Sequence, residues 1–434
     1  MLRSSSRAVI AVFTALLILA GCSIPQGDDQ HPGDRPSRKP SPDTAAPAAI
    51  LKAQRQARGY DYPAALQTLS AVHSTRARQL IRSIKKQQRS AHAWKRMDQI
   101  PHLFFHSLIV DPQRAFHAGS RAQGYRDYMV TVDEFRAMLP QLRRRGYVLV
   151  LPRQIARPDA RGAMRYQKII LPAGKKPLVI SQDDVNYYEY MRGDGFATNL
   201  TVDADGKITN TYVRPDKRTV QGSYDLLPVL DDFVAAHPDF GYRGAKGVLG
   251  LTGYNGILGY RTSHREYGNR KDFAEQRRTA KRVATAIKAD GWQLASHSWG
   301  HLNFTSTGLG VLKADTRRWD REVRPLTGPT DLLIYPFGAD ISGVQPYGRD
   351  NAKYRYLHAD GFNFFFNVDA SSPAWMQKHA GSLRQARINV DGIRLASTLD
   401  GDNAVLKHFF DVRSVIDPAR HHKIDKQHRT TRRP

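Results

Sequence analysis

From Pro101 onward the chain repeats one pattern: a short continuous apolar run, a loop, then an amphipathic stretch. The runs are Leu103–Val110, Tyr147–Leu151, Leu178–Ser181, Gly247–Thr252, Trp292–Ala295, Leu332–Tyr335, Phe362–Phe366 and Arg387–Val390. Runs that are apolar without alternation suit strands covered on both faces, as in parallel sheets. Helices fall between them. Thr131–Arg145 opens on the capping box Thr131-x-x-Glu134 and closes at Gly146, and Leu226–Ala236 and Phe273–Ala289 follow. This alternation predicts a parallel α/β fold, and in α/β barrels the chemistry gathers at the carboxyl ends of the strands. The rhythm breaks at 186–225. There Asn199–Thr209, with Asp205-Gly206 at its turn, reads as an inserted β-hairpin.

Two strand ends carry chemistry. Leu178–Ser181 runs into Asp183-Asp184, and Trp292–Ala295 opens into His297-Ser298-Trp299-Gly300-His301. Two imidazoles four residues apart can meet one ion on a helical turn or a tight loop. In a strand they would stand roughly 13 Å apart. That makes His102 and His106, in the apolar run at 103–110, the poorer pair. The His segment is not a zincin motif, because Ser298 stands where the base Glu would be, so the base must come from elsewhere. The aspartate pair is the candidate. The other pairs, Asp28-Asp29 and Asp231-Asp232, read as linker and helix face. The chain has no Gly-x-Ser-x-Gly element, which argues against a serine esterase. Gly250-Leu251-Thr252-Gly253-Tyr254-Asn255-Gly256 lacks the spacing and Lys of a phosphate loop and reads as a tight turn after a strand.

Residues 101–417 resemble the NodB-homology polysaccharide deacetylases (carbohydrate esterase family 4). That family carries Thr/Ser-Phe-Asp-Asp-Gly, His-Ser/Thr-x-x-His and Arg-x-Pro-Tyr/Phe-Gly in that order. Here they read Ser181-Gln182-Asp183-Asp184-Val185, His297-Ser298-Trp299-Gly300-His301 and Ile334-Tyr335-Pro336-Phe337-Gly338. The resemblance implies a distorted (β/α) barrel with a small N-terminal helical region. It implies that Asp184, His297 and His301 bind a divalent metal, zinc by default, with cobalt or nickel also fitting. Asp183 would be the catalytic base, and the backbone N–H of Phe337 would help hold the oxyanion. Tyr187, Tyr188, Trp299, Tyr335 and Pro336 are the candidate substrate contacts, although the run at 187–190 could equally pack the hairpin down. The implied reaction is removal of N-acetyl groups from a cell-wall or surface polysaccharide of the N-acetylglucosamine type. The chain departs from the family pattern in three places: the first motif lacks its Phe and Gly, and Ile334 replaces Arg. The late Leu-x-His has one formal match, Leu406-Lys407-His408, in an apolar, helix-like context. Because a barrel closes its last strand on its first, Arg387 is the candidate replacement for the lost arginine. A second reading is a barrel without catalysis that binds carbohydrate at a surface.

Before the barrel, Arg3 and Arg7, an apolar core at 8–19 and Leu19-Ala20-Gly21-Cys22 resemble a bacterial lipoprotein signal over residues 1–21. Cys22 is the only cysteine, so no disulfide forms within the chain. The resemblance implies lipidation at Cys22 and an extracytoplasmic protein anchored to the membrane; a monomer is expected. Residues 22–50 read as a flexible tether, 51–100 as a basic helical region, and 418–434 as a disordered basic tail. The net charge of +26 would ordinarily suggest nucleic acid. Export and the lack of a recognition motif exclude that reading. The expected partners are the polysaccharide and an anionic membrane or wall polymer, met through the basic segments.

Overall fold

The computed structural model describes residues 42–420. The signal, Cys22, most of the tether and the tail beyond Arg420 lie outside the described residues. Helices α1 (Pro42–Arg58), α2 (Tyr62–Leu69) and α3 (Thr75–Ser90) come first. Then follow β1 (His102–Phe105), α4 (Val132–Arg144), β2 (Tyr147–Leu149), β3 (Lys176–Gln182) and the antiparallel strands β4 (Asn199–Val202), β5 (Ile208–Val213) and β6 (Thr219–Gly222). The remainder alternates: α5 (Leu226–Ala236), β7 (Val248–Leu251), α6 (Phe273–Ala289), β8 (Gln293–Ser296), α7 (Leu309–Glu322), β9 (Leu332–Ile334), β10 (Phe364–Val368), β11 (Ser382–Asn389) and α8 (Gly392–Asp400).

Seven parallel strands close a ring in the order β1-β3-β7-β8-β9-β10-β11 and back to β1. All eight expected runs contain a strand. However, β2 is not a stave of the ring: it pairs with the first half of β3 and, through a single bridge from Leu149, with Gly241. The first run is also shorter than expected, because the strand ends at Phe105. Beyond it, Ile109 bridges Thr131 and Phe196 instead. The predicted capping box on α4 is present with both of its hydrogen bonds.

Alternation along each strand sorts the core into layers. Leu103, Phe105, Leu178, Ile180, Leu249, Leu251 and Leu294 face outward against the helices. Val179, Val248, Ala295, Leu332, Ile334, Phe364, Phe366 and Leu383 fill the interior, which is continuous with Ile50, Ala53, Ala57, Ala65, Leu69 and Ile84 of α1–α3. The helical region therefore seals the end where the strands begin. Tyr60 donates to Asp239 O, and Arg243 N to Gly59 O, both on the approach to β7. Two expected boundaries change as a result. The tether was expected to run to residue 50, but α1 begins at Pro42, and its Ile50, Ala53 and Ala57 are buried because they pack on the barrel.

The other end shifts too. The tail was expected to begin at 418, yet the Arg420 side chain, 6% exposed, inserts beside Glu134, which is fully buried. It forms two bonds of 2.8 Å to that carboxylate and caps the carbonyls of Arg126 and Met129. Removing one partner of such a pair strands the other charge away from water. Arg420→Ala should lower unfolding free energy by about 3 kcal/mol, seen as a lower denaturant midpoint with little change in slope. A midpoint within error of the parent would place Arg420 outside the stabilising core.

Candidate metal centre

The mouth opens at the carboxyl ends of the strands. Asp183 and Asp184 leave β3 there, while His297 and His301 leave β8. The histidine segment is a tight loop and not a helical turn, with Ser298 and His301 both at positive φ (+64° and +54°). Such backbone is costly for non-glycine residues and persists only where it is over-determined. Here Asp315 of α7 supplies that constraint: its carboxylate accepts from Ser298 Oγ (2.8 Å), Trp299 N (2.8 Å) and Gly300 N (2.7 Å). Asp315 was not read from the sequence, because nothing in the spacing of a lone helical aspartate points back to the loop.

Asp184, His297 and His301 each place one ligand atom within 4.8 Å of the other two. The donors are oriented for an ion. His297 Nδ1 bonds Ile334 O at 2.9 Å and must donate to it, which leaves the lone pair on Nε2. Burial first, then His297, hold His301 down to about 4 against the opposing pull of Asp184, so it is neutral near pH 7. Tyr188 donates to Asp184 Oδ1 at 2.7 Å, and burial raises its own pKa well above the usual range, so it stays a donor. Two imidazoles and a carboxylate, one buried and two half-buried, fit a catalytic divalent site with open positions.

Asp183 sits behind that set, 2% exposed. Arg387, delivered by β11, grips both its oxygens: Nη1 to Oδ1 at 2.6 Å and Nη2 to Oδ2 at 2.8 Å. The guanidinium also lies over the Phe104 ring, 4.1 Å from its centre. Burial alone would raise the Asp183 carboxyl; Arg387 and then His297 outweigh it and bring it down to about 2. Ile334, in the place of the family's arginine, points inward and is fully buried. Gly250 leaves room for both: a Cβ there would stand 3.2 Å from Ile334 Cδ1 and 3.4 Å from Asp183 Oδ1. Arg387 thus brings a guanidinium to Asp183, and Ile334 brings none. Arg387 does not pair with Asp391, which caps α8 instead.

Phe337 lies at the mouth with φ +60°, 70% exposed, its ring 4.4 Å from that of His301. The turn's own bonds use the amides of Gly338 and Ala339. All five candidate substrate contacts are buried and engaged by the protein itself. Tyr187, at positive φ, is buried and donates to Asp225, pinning the hairpin through Asn210. Trp299 is buried against Gly253, where a Cβ would come within 1.9 Å of its indole, and it donates to Glu322. Tyr335 follows inward-facing Ile334 and so faces outward, bonded to Tyr347. Pro336 is buried in the turn. Tyr188, besides holding Asp184, is the centre of a stack between Tyr254 and the half-exposed Tyr190. The formal Leu-x-His match fails: His408 is exposed, and its carbonyl meets Tyr147, whose strand partner Lys176 begins β3 at the closed end.

One residue at the mouth was passed over. His102 is buried between Gln385 and Ser181 and is no ligand. His106 lies one step beyond the last β1–β3 pair, Phe105 with Gln182, which sets it beside Asp183. Its Nδ1 bonds Tyr128 O at 3.1 Å, and its positive charge would bear on Asp183, His301 and Asp391. Only the strand register reveals this.

No family model and no curated protein matches the chain. Among solved structures, the Streptococcus pyogenes deacetylase PplD, determined with acetate, matches at 16% identity and TM-score 0.38 over 72% of this chain and 99% of that one. A Bacillus anthracis protein assigned as a polysaccharide deacetylase matches at 12% and 0.37, over 73% and 67%. At these values the function has to be read from the site itself.

The depressed Asp183 carboxyl has a thermodynamic signature. A group lowered from 3.8 to about 2 on folding contributes stability above its unfolded value and loses it as pH falls through that window. Asp183→Asn should be less stable than the parent at neutral pH, with the gap narrowing between about pH 4 and pH 2. A gap independent of pH, measured by denaturant unfolding, would contradict the ion pair.

Proposed function

We propose that the chain is a metal-dependent hydrolase that removes N-acetyl groups from a polysaccharide of the N-acetylglucosamine type. The observation that carries this is the mouth itself: Asp184, His297 and His301 gathered as a pre-oriented ligand set, with the separately buried Asp183–Arg387 pair beside it. The three family motifs and their order support the choice of reaction. A divalent ion bound there would polarise the amide carbonyl and activate water for attack.

The chain's own residues supply the rest. Asp183 takes the proton from the attacking water, and Arg387 keeps the carboxylate ionised and aimed. The Phe337 N–H faces the oxygen on which charge develops. His106, with Nδ1 spent on Tyr128, is left with Nε2 and passes a proton to the departing sugar amine. Tyr190 and Phe337, 53% and 70% exposed, flank an open mouth suited to a polymer. The alternative of a carbohydrate-binding barrel without catalysis explains less. Asp315, Ile334 O and Tyr188 each constrain a ligand or its loop, and binding a sugar demands none of that. The proposal also takes the enzyme to act outside the cytoplasm, held at the membrane through Cys22, on the support of the signal-like sequence.

The parent should bind one equivalent of divalent ion and release acetate from N-acetylglucosamine oligomers, while His297→Ala should bind none. Asp183→Asn should keep the ion and lose turnover by about two to four orders of magnitude. Loss of the ion in that variant would mean that Asp183 is itself a ligand.

His106→Ala separates the proton donor from the rest of the site. Turnover of the N-acetyl substrate should fall by about 10²–10⁴-fold. Hydrolysis of 4-nitrophenyl acetate, whose leaving group needs no proton, should persist within a few fold of the parent. Equal losses on both substrates would deny His106 that role.

A further inference from the structure

The closed end of the barrel carries a charge pattern that hydrolysis at the mouth does not use. Between Asp61 and Asp98 the chain has eight Lys or Arg and no acidic residue, and six of these cations lie on α3. At 3.6 residues per turn, Arg78, Arg82, Lys85, Lys86 and Arg89 fall within an arc of about 100°. Ala77 and Ile84, the residues that α3 buries, lie about 140° away around the same helix. All five cations are exposed. They form a straight stripe about 16 Å long on the outward side of the helix. A helix with packed apolar residues on one side and an unbroken cationic row on the other holds like charges together without internal neutralisation, so an external anion completes it.

We propose that this stripe docks the protein onto an anionic phospholipid surface, through the headgroup phosphates. Charge complementarity defines the occupant as polyanionic. Shape and position select a membrane over a phosphate-bearing glycan. The stripe runs along the convex side of a helix and presents a ridge, which a plane can meet along its whole length. It belongs to the helices that seal the barrel where the strands begin, whereas the ligand set sits where they end. A glycan held on α3 would lie at the wrong end of the barrel for cleavage. A membrane lying there would turn the mouth away from the lipid and toward the polymer. The chain also enters this unit through α1 at the same closed end. The inference does not depend on the reaction assigned to the mouth.

The test uses the full chain carrying Cys22→Ser, so that no acyl chain contributes, with and without Arg78→Gln, Arg82→Gln and Arg89→Gln together. Co-sedimentation with vesicles is read at low salt. Each cation at such a surface contributes roughly fivefold, so the triple change should weaken binding to phosphatidylglycerol-containing vesicles by about a hundredfold. On pure phosphatidylcholine the two proteins should bind alike and weakly, and added salt should bring the parent down to that level. Unchanged metal stoichiometry in the triple variant reports an intact fold. Equal binding of both proteins to the anionic vesicles would overturn the proposal. So would soluble polyphosphate that binds the parent more tightly than the vesicles do, in a manner abolished by the triple change; the stripe would then belong to a phosphate polymer.

Discussion

A carboxylate and a guanidinium, both out of water, hold the centre of this protein. Neither Asp183 nor Arg387 can be buried alone without a cost of several kcal/mol. Paired through two bonds they tie β3 to β11, on either side of β1 in the ring. The pair sits above a polar layer of His102, Ser181 and Gln385, each of which finds a partner inside the barrel. Below it the interior turns apolar, down to the helices that close the base. The polarity of the barrel follows: one end is packed shut, and the other ends in charges that must be satisfied by each other or by what binds there. Arg387 also reaches Ser181 Oγ through Nη1 at 3.3 Å, while its Nε has no hydrogen-bond partner.

The ligand set depends on this arrangement in a less direct way. His297 is fixed by the carbonyl of Ile334. The histidine loop, in turn, is strained backbone held by Asp315, so a helix outside the ligand set constrains the spacing of the two imidazoles. Preorganisation of this kind is what lets three ligands stand ready without collapsing onto one another.

Several aromatics near the mouth look available in sequence and are spent on structure. Tyr187 and Trp299 hold loops, and Tyr335 packs behind the sheet. What remains exposed, Tyr190 and Phe337, flanks the opening from two different strand ends.

The sequence by itself determined the elements. Eight apolar runs marked the strands to within a few residues at most ends, Thr131 and Glu134 marked a helix start, and Asp205-Gly206 marked a hairpin. These signals are local, because periodicity and capping act over a few residues. The aspartate pair, the two histidines and Arg387 were legible for a related reason: each lies at or next to the end of a run whose identity was already clear. Tertiary structure decided the rest. Whether Tyr335 met substrate turned on the phase of the pleat, which is set by which side of β9 fills the barrel. Tyr187 was turned inward by a positive φ that only the surrounding packing can enforce. β2 left the ring because β3 has a limited edge and β7 takes its second half. His106 became a neighbour of Asp183 through the register of β1 on β3. A one-residue slip there would have sent it to the opposite face, and register is a property of pairs of strands that no single strand contains.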